Sequence, residues 1–274
     1  MTHFKILFFG DIVGSIGRGA VAKALPELRA ELKPDLIFAN VENLSHGRGI
    51  SAKGLLELDA AGVDAYTSGN HVWENTQGVA CFDDPRWTDR LVRPANIVSG
   101  RPGRGTMVIE KDGVRVLVAN LLGRLFMKDE ASSPFEAIDK ILRDFHSPLP
   151  TPHSPPLILI DLHAEATSEK EAFGHYVDGR VTAVFGTHTH VPTADQKILP
   201  GGTAYATDVG RNGAMDSVIG FEKNSAVKAF LDPSIKAYDL PKHGTVEING
   251  MLLTADVDTG RAVSLDRIRK IVDG

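Results

Sequence analysis

Metal-capable side chains recur at the ends of five apolar, β-branched runs of this 274-residue sequence. In open α/β sheets, ligands bind outside the carboxyl ends of the strands, so parallel neighbouring strands would bring these five segments to one site. A single strand-end residue such as Asp11 caps a helix about as often as it binds an ion. Five such endings in series, with histidines among them, favour a metal site. The candidate ligands are Asp11, Glu42, Asn43, Asn70, His163, His188 and His190.

The strongest single signal is the pair His188 and His190, which follows Gly186 and is interleaved with threonine. Residues two apart on extended backbone share a face of the strand and lie about 6.5 Å apart. That spacing suits one metal ion shared by both rings, or two adjacent ions with one histidine each. A lone histidine would more often be a surface residue or a hydrogen-bonded core residue.

The chemical types of these ligands indicate the kind of site. They offer oxygen and imidazole nitrogen but no thiolate, whereas a structural zinc site prefers cysteines and four ligands. Seven candidates are too many for one tetrahedral ion and suit two ions of the Mn, Fe or Zn type that share a carboxylate. Two ions about 3.5–4 Å apart can clamp a phosphoryl group and ionise a bridging water. The sequence therefore predicts hydrolysis of a phosphate ester, with iron or manganese favoured and zinc as the alternative.

His71 directly follows the candidate ligand Asn70, although its ring need not reach a metal ion. An imidazole beside the phosphate could act as a general acid or could stabilise the charge that develops on the ester. The alternative is that His71 only orients a ligand. We favour the catalytic role.

Other polar and glycine-rich features give weaker indications. The glycines between residues 10 and 19 do not have the G-x-G-x-x-G spacing of a dinucleotide-binding loop, so a Rossmann cofactor site is not expected. Arginine can grip phosphate with a bidentate fork, although each arginine taken alone is more often a solvated surface residue. Arg124, after the strand that ends near Asn120, is the favoured candidate. The full set of candidates is Arg18, Arg48, Arg124 and Arg180.

The elements that must position these residues alternate between strand and helix, which predicts an α/β fold. Val21, Leu25, Leu28 and Leu32 form one helical face, and Pro26 should kink or delay that helix. Ser133 and Ser168 each begin a capping-box pattern. The proline-rich residues 147–156 predict a loop, and residues 245–272 predict edge strands. The predicted core strands are residues 5–9, 36–41, 65–67, 114–119, 157–160, 182–185 and 203–206.

Length and composition favour one globular domain over residues 1–274. The formal net charge of −5 argues against a protein that binds nucleic acid in bulk, since such proteins are usually basic. Cys81 is the only cysteine, which excludes an intramolecular disulfide and favours a reducing compartment. The apolar run over residues 4–9 is too short for a membrane span or a secretory signal. We expect a cytoplasmic protein with no membrane partner.

Several sequence blocks resemble those of the calcineurin-like metallophosphoesterases, and the chain is most similar to the YmdB-like subgroup of that superfamily. The resemblance implies a four-layer αββα fold, a β-sandwich flanked by α-helices, with a dinuclear metal centre. It departs from the wider superfamily at three points. Asp11 is not followed by the usual Asp-x-His histidine, Glu42 replaces the usual bridging Asp, and Val72 stands where an acid is expected after Asn-His. The matching blocks are ILFFGDIVGSIGR, VENLSHGRG, SGNHVWE, LVRPAN, DLHAEATSEK, VFGTHTHVPTAD and ATDVG.

The resemblance also implies roles for the candidate residues. One metal ion would bind Asp11, Glu42, Asn43 and His190. The other would bind Glu42, Asn70, His163 and His188, and His71 would act on the ester.

For the subgroup, the implied activity is phosphodiesterase action on small cyclic nucleotides, either 2′,3′-cyclic or 3′,5′-cyclic. Members have links to RNA turnover, so an RNA-processing partner is a candidate partner, as is a second copy of the chain in a homo-oligomer. Two rival functions stay open at this point. One is a phosphomonoesterase acting on a nucleotide or protein phosphate, and the other is a low-turnover metal-containing regulator of RNA metabolism.

Overall fold

The N-terminal apolar runs form the first of two β-sheets in the computed structural model, which describes residues 2–97, 100–145, 155–235 and 238–273. Its strands β1, β2 and β3 are parallel neighbours, and β11 lies antiparallel beside β1. Strands β10 and β12 both pair with β11, also antiparallel. The strands of this sheet are β1 (His3–Phe9), β2 (Leu36–Asn40), β3 (Ala65–Thr67), β10 (Gly213–Ala214), β11 (Thr245–Asp256) and β12 (Ala262–Asp273).

The second sheet has the strand order β4–β5–β6–β7–β9–β8. Its four inner strands are parallel, and the two outer strands are antiparallel to their neighbours. These strands are β4 (Thr106–Lys111), β5 (Val114–Leu122), β6 (Leu157–His163), β7 (Ala183–Thr187), β8 (Lys197–Ile198) and β9 (Ala204–Ala206).

Helices cover the outer face of each sheet. The helices are α1 (Gly14–Leu32), α2 (Ala52–Ala61), α3 (Thr76–Val79), α4 (Pro134–Phe145), α5 (Thr167–Tyr176) and α6 (Lys223–Leu231). α1 and α2 pack on the first sheet, whereas α4 and α5 pack on the second. The predicted four-layer α/β sandwich is therefore confirmed.

The alternation of side chains along β1 explains how the layers hold together. Leu7 and Phe9 face the helices, whereas Ile6 and Phe8 face the second sheet. Across that inner core, the rings of Phe8 and Phe185 lie 5.0 Å apart. Strands covered on both faces must be apolar almost throughout, which is why the runs stood out in the sequence. The shared inner core favours one domain, which stays a prediction.

Three sequence predictions about the elements differ from the structure. α1 starts at Gly14 and continues through the exposed Pro26, so Pro26 does not delay the helix. Ser168 lies inside α5, which begins at Thr167 without a side-chain cap. β11 lies inside its sheet, between β1 and β12, rather than at an edge.

Two further predictions have simpler outcomes. The predicted helix start at Ser133 is confirmed, since its hydroxyl accepts the backbone N–H of Glu136 at 3.4 Å and α4 begins at Pro134. Most of the predicted proline-rich loop, residues 147–154, lies outside the described residues. In the described part of the chain, no helix has the length and apolar character needed to span a bilayer.

Candidate metal centre

The carboxyl ends of the parallel strands of both sheets meet at one edge of the sandwich. Asp11 and Glu42 follow strands of the first sheet, and His163 ends β6 of the second. His163 Nε2 lies 3.0 Å from Glu42 Oε1, and His163 Nδ1 lies 3.9 Å from Asp11 Oδ1. The five predicted segments therefore converge, but from two sheets instead of from neighbours in one.

The candidate ligands form two groups that share Glu42. Ligand atoms of Asp11, Glu42 and His190 lie within 4.8 Å of one another, as do those of Glu42, His163 and His188. Asn43 joins the first group, with Oδ1 3.1 Å from His190 Nε2. Asn70 joins the second group, with Oδ1 3.1 Å from His163 Nε2. The structure thus brings all seven predicted residues together, and their role as ligands stays a prediction.

The hydrogen bonds of His190 and Asn43 leave two lone pairs facing each other. His190 Nδ1 donates to the carbonyl oxygen of Ile219 at 2.7 Å, so Nε2 is the unprotonated nitrogen of a neutral ring. Asn43 Nδ2 donates to the carbonyl oxygen of Gly47 at 2.9 Å, which turns Oδ1 toward that nitrogen. Neither of the two facing atoms carries a proton, so their lone pairs repel each other unless a cation lies between them.

Buried carboxylate oxygens lack partners at the same place. Asp11 Oδ1 and Glu42 Oε1 are buried and accept no hydrogen bond, although His163 Nε2 is close to the latter. An unpaired buried charge is expensive unless it is matched by a hydrogen bond or a metal. Mixed carboxylate, amide and imidazole donors suit divalent ions of the Mn, Fe or Zn type. The residues therefore fit a metal centre.

Burial and mutual charges shape the protonation of these groups. Burial raises the pKa of Asp11, whereas at Glu42 burial is outweighed by the charge of the neighbouring His163, which lowers the pKa. Burial would lower the pKa of His163, but the charge of Glu42 dominates and raises it to about 9. Burial lowers the pKa of His188 to about 3 and also lowers that of His190. In the metal-free protein, a proton on His163 balances the carboxylates that a metal ion would otherwise balance.

The backbone at His188 and His190 differs from the extended conformation predicted from their spacing. β7 ends at Thr187, and the two histidines have φ angles of 95° and 66°. Left-handed backbone is uncommon for residues other than glycine, although asparagine, aspartate and histidine adopt it more often than the rest. The two rings reach different ligand groups because the chain turns sharply here, not because they share the face of a strand.

A buried relay fixes the ring of His163. Its Nδ1 donates to Thr187 Oγ1 at 2.8 Å, and that hydroxyl donates to Asp161 Oδ1 at 2.6 Å. The other oxygen of Asp161 accepts hydrogen bonds from Asn40 and Thr67 of the first sheet, at 2.8 and 2.5 Å. Asp161 thus joins the two sheets and, through Thr187, aims His163 Nε2 at the site.

We expect Thr187→Val to weaken metal binding about 10- to 100-fold, the usual effect of losing an orienting partner. Valine has a similar shape but leaves the buried Nδ1–H of His163 and one oxygen of Asp161 unpaired. The free energy of unfolding of the metal-free protein should also fall by about 1–3 kcal/mol. Calorimetric titration with Mn²⁺ and urea unfolding measure the two effects. Thr187→Ser keeps the hydroxyl and is the matched control; equal metal affinity in the valine and serine variants would contradict the relay.

His71 lies beside the second ligand group, and Glu74 contacts one nitrogen of its ring. Its Nδ1 is 2.6 Å from Glu74 Oε1, and its backbone N–H donates to Glu42 Oε2 at 3.1 Å. The ring is about a quarter exposed, at 24%. Val72 stands where the wider superfamily has an acid after Asn-His, and Glu74, three residues after His71, brings a carboxylate to the ring.

Close packing explains the glycine before Asn70. A Cβ at Gly69 would lie 2.2 Å from Glu42 Oε2 and 2.5 Å from His163 Nε2. Any larger residue would displace the carboxylate that both ligand groups share.

The predicted phosphate-gripping arginines have different surroundings. Arg18 is buried and donates to Glu57 and to the carbonyl oxygen of Leu44, so it has a structural role. Arg180 pairs with Asp139 on the helical side of the second sheet. Arg48 Nη1 lies 3.4 Å from Oε2 of Glu74, the residue that also contacts the ring of His71. Arg124 is exposed in the loop after β5. Arg48 and Arg124 are thus the two that stay candidates.

Sequence reasoning missed four residues that orient the site. Glu165 lies 3.2 Å from His188 Nε2, which leaves Nδ1 of that ring to face the site. Glu74 and the Asp161–Thr187 pair have the equivalent roles for His71 and His163. Glu74 could have been found, because residues three apart meet on one turn of helix. Glu165 and Asp161 are recognisable only once the strand ends are placed in space.

Comparisons with known proteins find relatives over nearly the whole chain. A family model described as YmdB-like protein matches residues 7–268. The 2′,3′-cyclic-nucleotide 2′-phosphodiesterase of Bacillus subtilis (strain 168) is 40% identical over 264 residues, covering 96% of each chain. A crystal structure of a novel phosphatase from Mycoplasma pneumoniae is 34% identical, with a TM-score of 0.90, covering 100% of this chain and 95% of that one. A hypothetical protein from Thermus thermophilus is 35% identical, with a TM-score of 0.87, covering 98% of this chain and 99% of that one.

Proposed function

The chain belongs to the YmdB-like family, and we propose that it is a metal-dependent phosphodiesterase that hydrolyses small cyclic nucleotides, with 2′,3′-cyclic nucleotides as the favoured substrates. The similarity to the Bacillus subtilis enzyme supports a phosphoric ester hydrolase and suggests this substrate class. The observation on which the proposal depends is the pair of ligand groups that share the buried carboxylate of Glu42.

The first ion would be held by Asp11, Glu42, Asn43 and His190, and the second by Glu42, Asn70, His163 and His188. When bound, the ions supply Lewis-acid activation of a water molecule and of the phosphoryl group. Buried carboxylates and neutral imidazoles supply the opposing charge and the lone pairs. The native metal is proposed to be iron or manganese, with zinc as the alternative.

In this proposal His71 completes the reaction from the exposed side. Glu74 occupies its Nδ1, so Nε2 is the nitrogen left to meet the ester. In a 2′,3′-cyclic nucleotide, water attacks phosphorus, the bond from phosphorus to O2′ breaks, and O2′ must gain a proton. Proton donation from His71 Nε2 to that oxygen would serve this step. The alternative is that His71 only stabilises charge on the phosphate.

A phosphomonoesterase is the second candidate, because the similar Mycoplasma pneumoniae protein is described as a phosphatase. The same ligand groups serve both reactions. Assay of one purified preparation on matched mono- and diesters separates them, with the diester expected to have the higher kcat/KM. Tight binding with little turnover of either ester would favour the regulator. The cytoplasmic location, an RNA-processing partner and a homo-oligomer stay predictions.

We expect chelation to abolish hydrolysis and added Mn²⁺ or Fe²⁺ to restore it. The metal supplies the activation of water, whereas the protein residues alone supply orientation. The measurement is turnover of adenosine 2′,3′-cyclic phosphate by anaerobically purified protein, before and after chelation, with elemental analysis of each sample. Mg²⁺ is a useful comparison because it prefers oxygen ligands and should restore less activity. Full activity in a preparation shown to be metal-free would overturn the proposed function.

A further inference from the structure

Left-handed backbone is concentrated around the candidate metal centre. Among the described residues, seven that are not glycine have a positive φ. Lys33 ends α1 and Asp112 lies in the turn between β4 and β5, where such angles are ordinary. The others lie in loops that follow or contact the proposed ligands, and such outliers tend to cluster at functional sites. They are His46, Phe126, His188, His190 and Ile219.

Phe126 is the most exposed aromatic residue of this group. Its φ is 65°, and 80% of its surface is accessible to solvent. The backbone N–H of Met127 donates to the carbonyl oxygen of Arg124 at 3.3 Å, so Phe126 is the third residue of a tight turn. A turn with positive φ at that position favours glycine or asparagine. A phenyl ring at this position is favoured neither by the backbone conformation nor by exposure to water. Contact with a ligand would account for it.

The loop that presents Phe126 is fixed beside the metal centre. Leu122, the last residue of β5, is in register with His163, and the backbone N–H of Gly123 donates to the carbonyl oxygen of His163 at 3.0 Å. The Glu169 carboxylate accepts the backbone N–H of Arg124 at 3.0 Å and of Leu125 at 3.1 Å. A Cβ at Gly123 would lie 2.4 Å from the Cβ of Ala164. The turn is thus anchored at its base, and its tip is open to solvent.

We propose that Phe126 is the platform on which the nucleobase of the substrate stacks. This inference depends on the proposed function, because it assumes that the phosphate binds at the two ligand groups. Phe126 follows Gly123 by three residues, so their Cα atoms lie within about 11 Å of each other. Every nucleobase has a flat face, and aromatic side chains bind it with little preference among sequences. Phe126 therefore selects nucleotides over other phosphodiesters without selecting one base.

The test compares a substrate that has a base with one that lacks it. Phe126→Ala should raise KM for adenosine 2′,3′-cyclic phosphate about 5- to 150-fold, the range of base stacking on an aromatic ring. kcat should change little, because the ring lies away from the reacting bonds. KM for methyl riboside 2′,3′-cyclic phosphate, which has no base, should stay the same. Phe126→Tyr should retain the wild-type KM for both esters.

Two control variants separate stacking from structural effects. Phe230, in α6, is 79% exposed, and Phe230→Ala removes an equally exposed ring without affecting either KM. Phe126→Gly should raise KM for adenosine 2′,3′-cyclic phosphate as Phe126→Ala does. Unlike the alanine variant, it should raise the melting temperature, because glycine accepts the positive φ. If KM in Phe126→Ala rises equally for both cyclic esters, or rises for neither, the stacking role of Phe126 is wrong.

Binding is measured beside turnover so that the two proposals can fail separately. Calorimetry on the metal-loaded protein uses adenosine 3′-monophosphate and methyl riboside 3-phosphate. If the wild-type protein hydrolyses neither of the two cyclic phosphates, the proposed function is wrong. The dissociation constants of the two 3-phosphate ligands still decide the role of Phe126. Weaker binding of only the adenosine ligand in Phe126→Ala supports stacking. Unchanged binding of both ligands rejects it.

Discussion

Glu42→Gln is expected to reduce bound metal from the two ions per chain that we propose to well below one. The carboxylate is shared by both ligand groups, so one substitution weakens both positions. Loss of an orienting partner typically weakens metal binding about 10- to 100-fold, and loss of a shared ligand should weaken it by more than about 100-fold. Elemental analysis after dialysis measures the occupancy, and hydrolysis of cyclic nucleotide should fall in parallel.

The matched control is Glu110→Gln, which removes one carboxylate from an exposed position on β4. It should keep both ions and full activity. Circular dichroism establishes that the Glu42 variant is folded. A folded Glu42→Gln protein that retains two metal ions per chain would show that the bridging role is wrong.

The positions of the strands and of the seven candidate ligands could be predicted from sequence for a physical reason. Strands covered on both faces must be apolar, and a polar residue such as Asp11 or His163 at the end of such a run is conspicuous. The prediction needed only the order of strands and the rule that parallel strands end at one edge. It did not require knowing that the strands belong to two sheets.

The local geometry of the site could not be predicted in the same way. The spacing of His188 and His190 predicts an extended strand, but the chain turns through left-handed backbone at both residues. Hydrogen bonds to distant segments hold that backbone: the backbone N–H of Thr189 donates to Asp208 Oδ2, and the backbone N–H of Arg211 donates to the carbonyl oxygen of His190. Sequence spacing does not encode such long-range contacts. The same limit applies to Asp161, which accepts two hydrogen bonds from side chains of the other sheet.

His71→Ala should lower kcat for adenosine 2′,3′-cyclic phosphate about 10²- to 10⁴-fold, the usual contribution of a general acid. KM should change little, because the proton is needed in the transition state. Metal content should stay near two ions per chain. The contact of His71 with Glu42 is made by its backbone N–H, which the substitution leaves in place. A residue that merely orients a ligand would instead lose metal and regain activity at high metal concentration.

The leaving group distinguishes proton donation from charge stabilisation by His71. A nitrophenyl diester has a leaving group that needs no proton, so His71→Ala should lose much less activity on it than on the cyclic nucleotide. Glu74→Gln should show the same pattern with a smaller loss, because it loosens the ring held at 2.6 Å without removing it. If His71→Ala loses equal activity on both esters with both metals bound, His71 donates no proton and only stabilises charge on the phosphate.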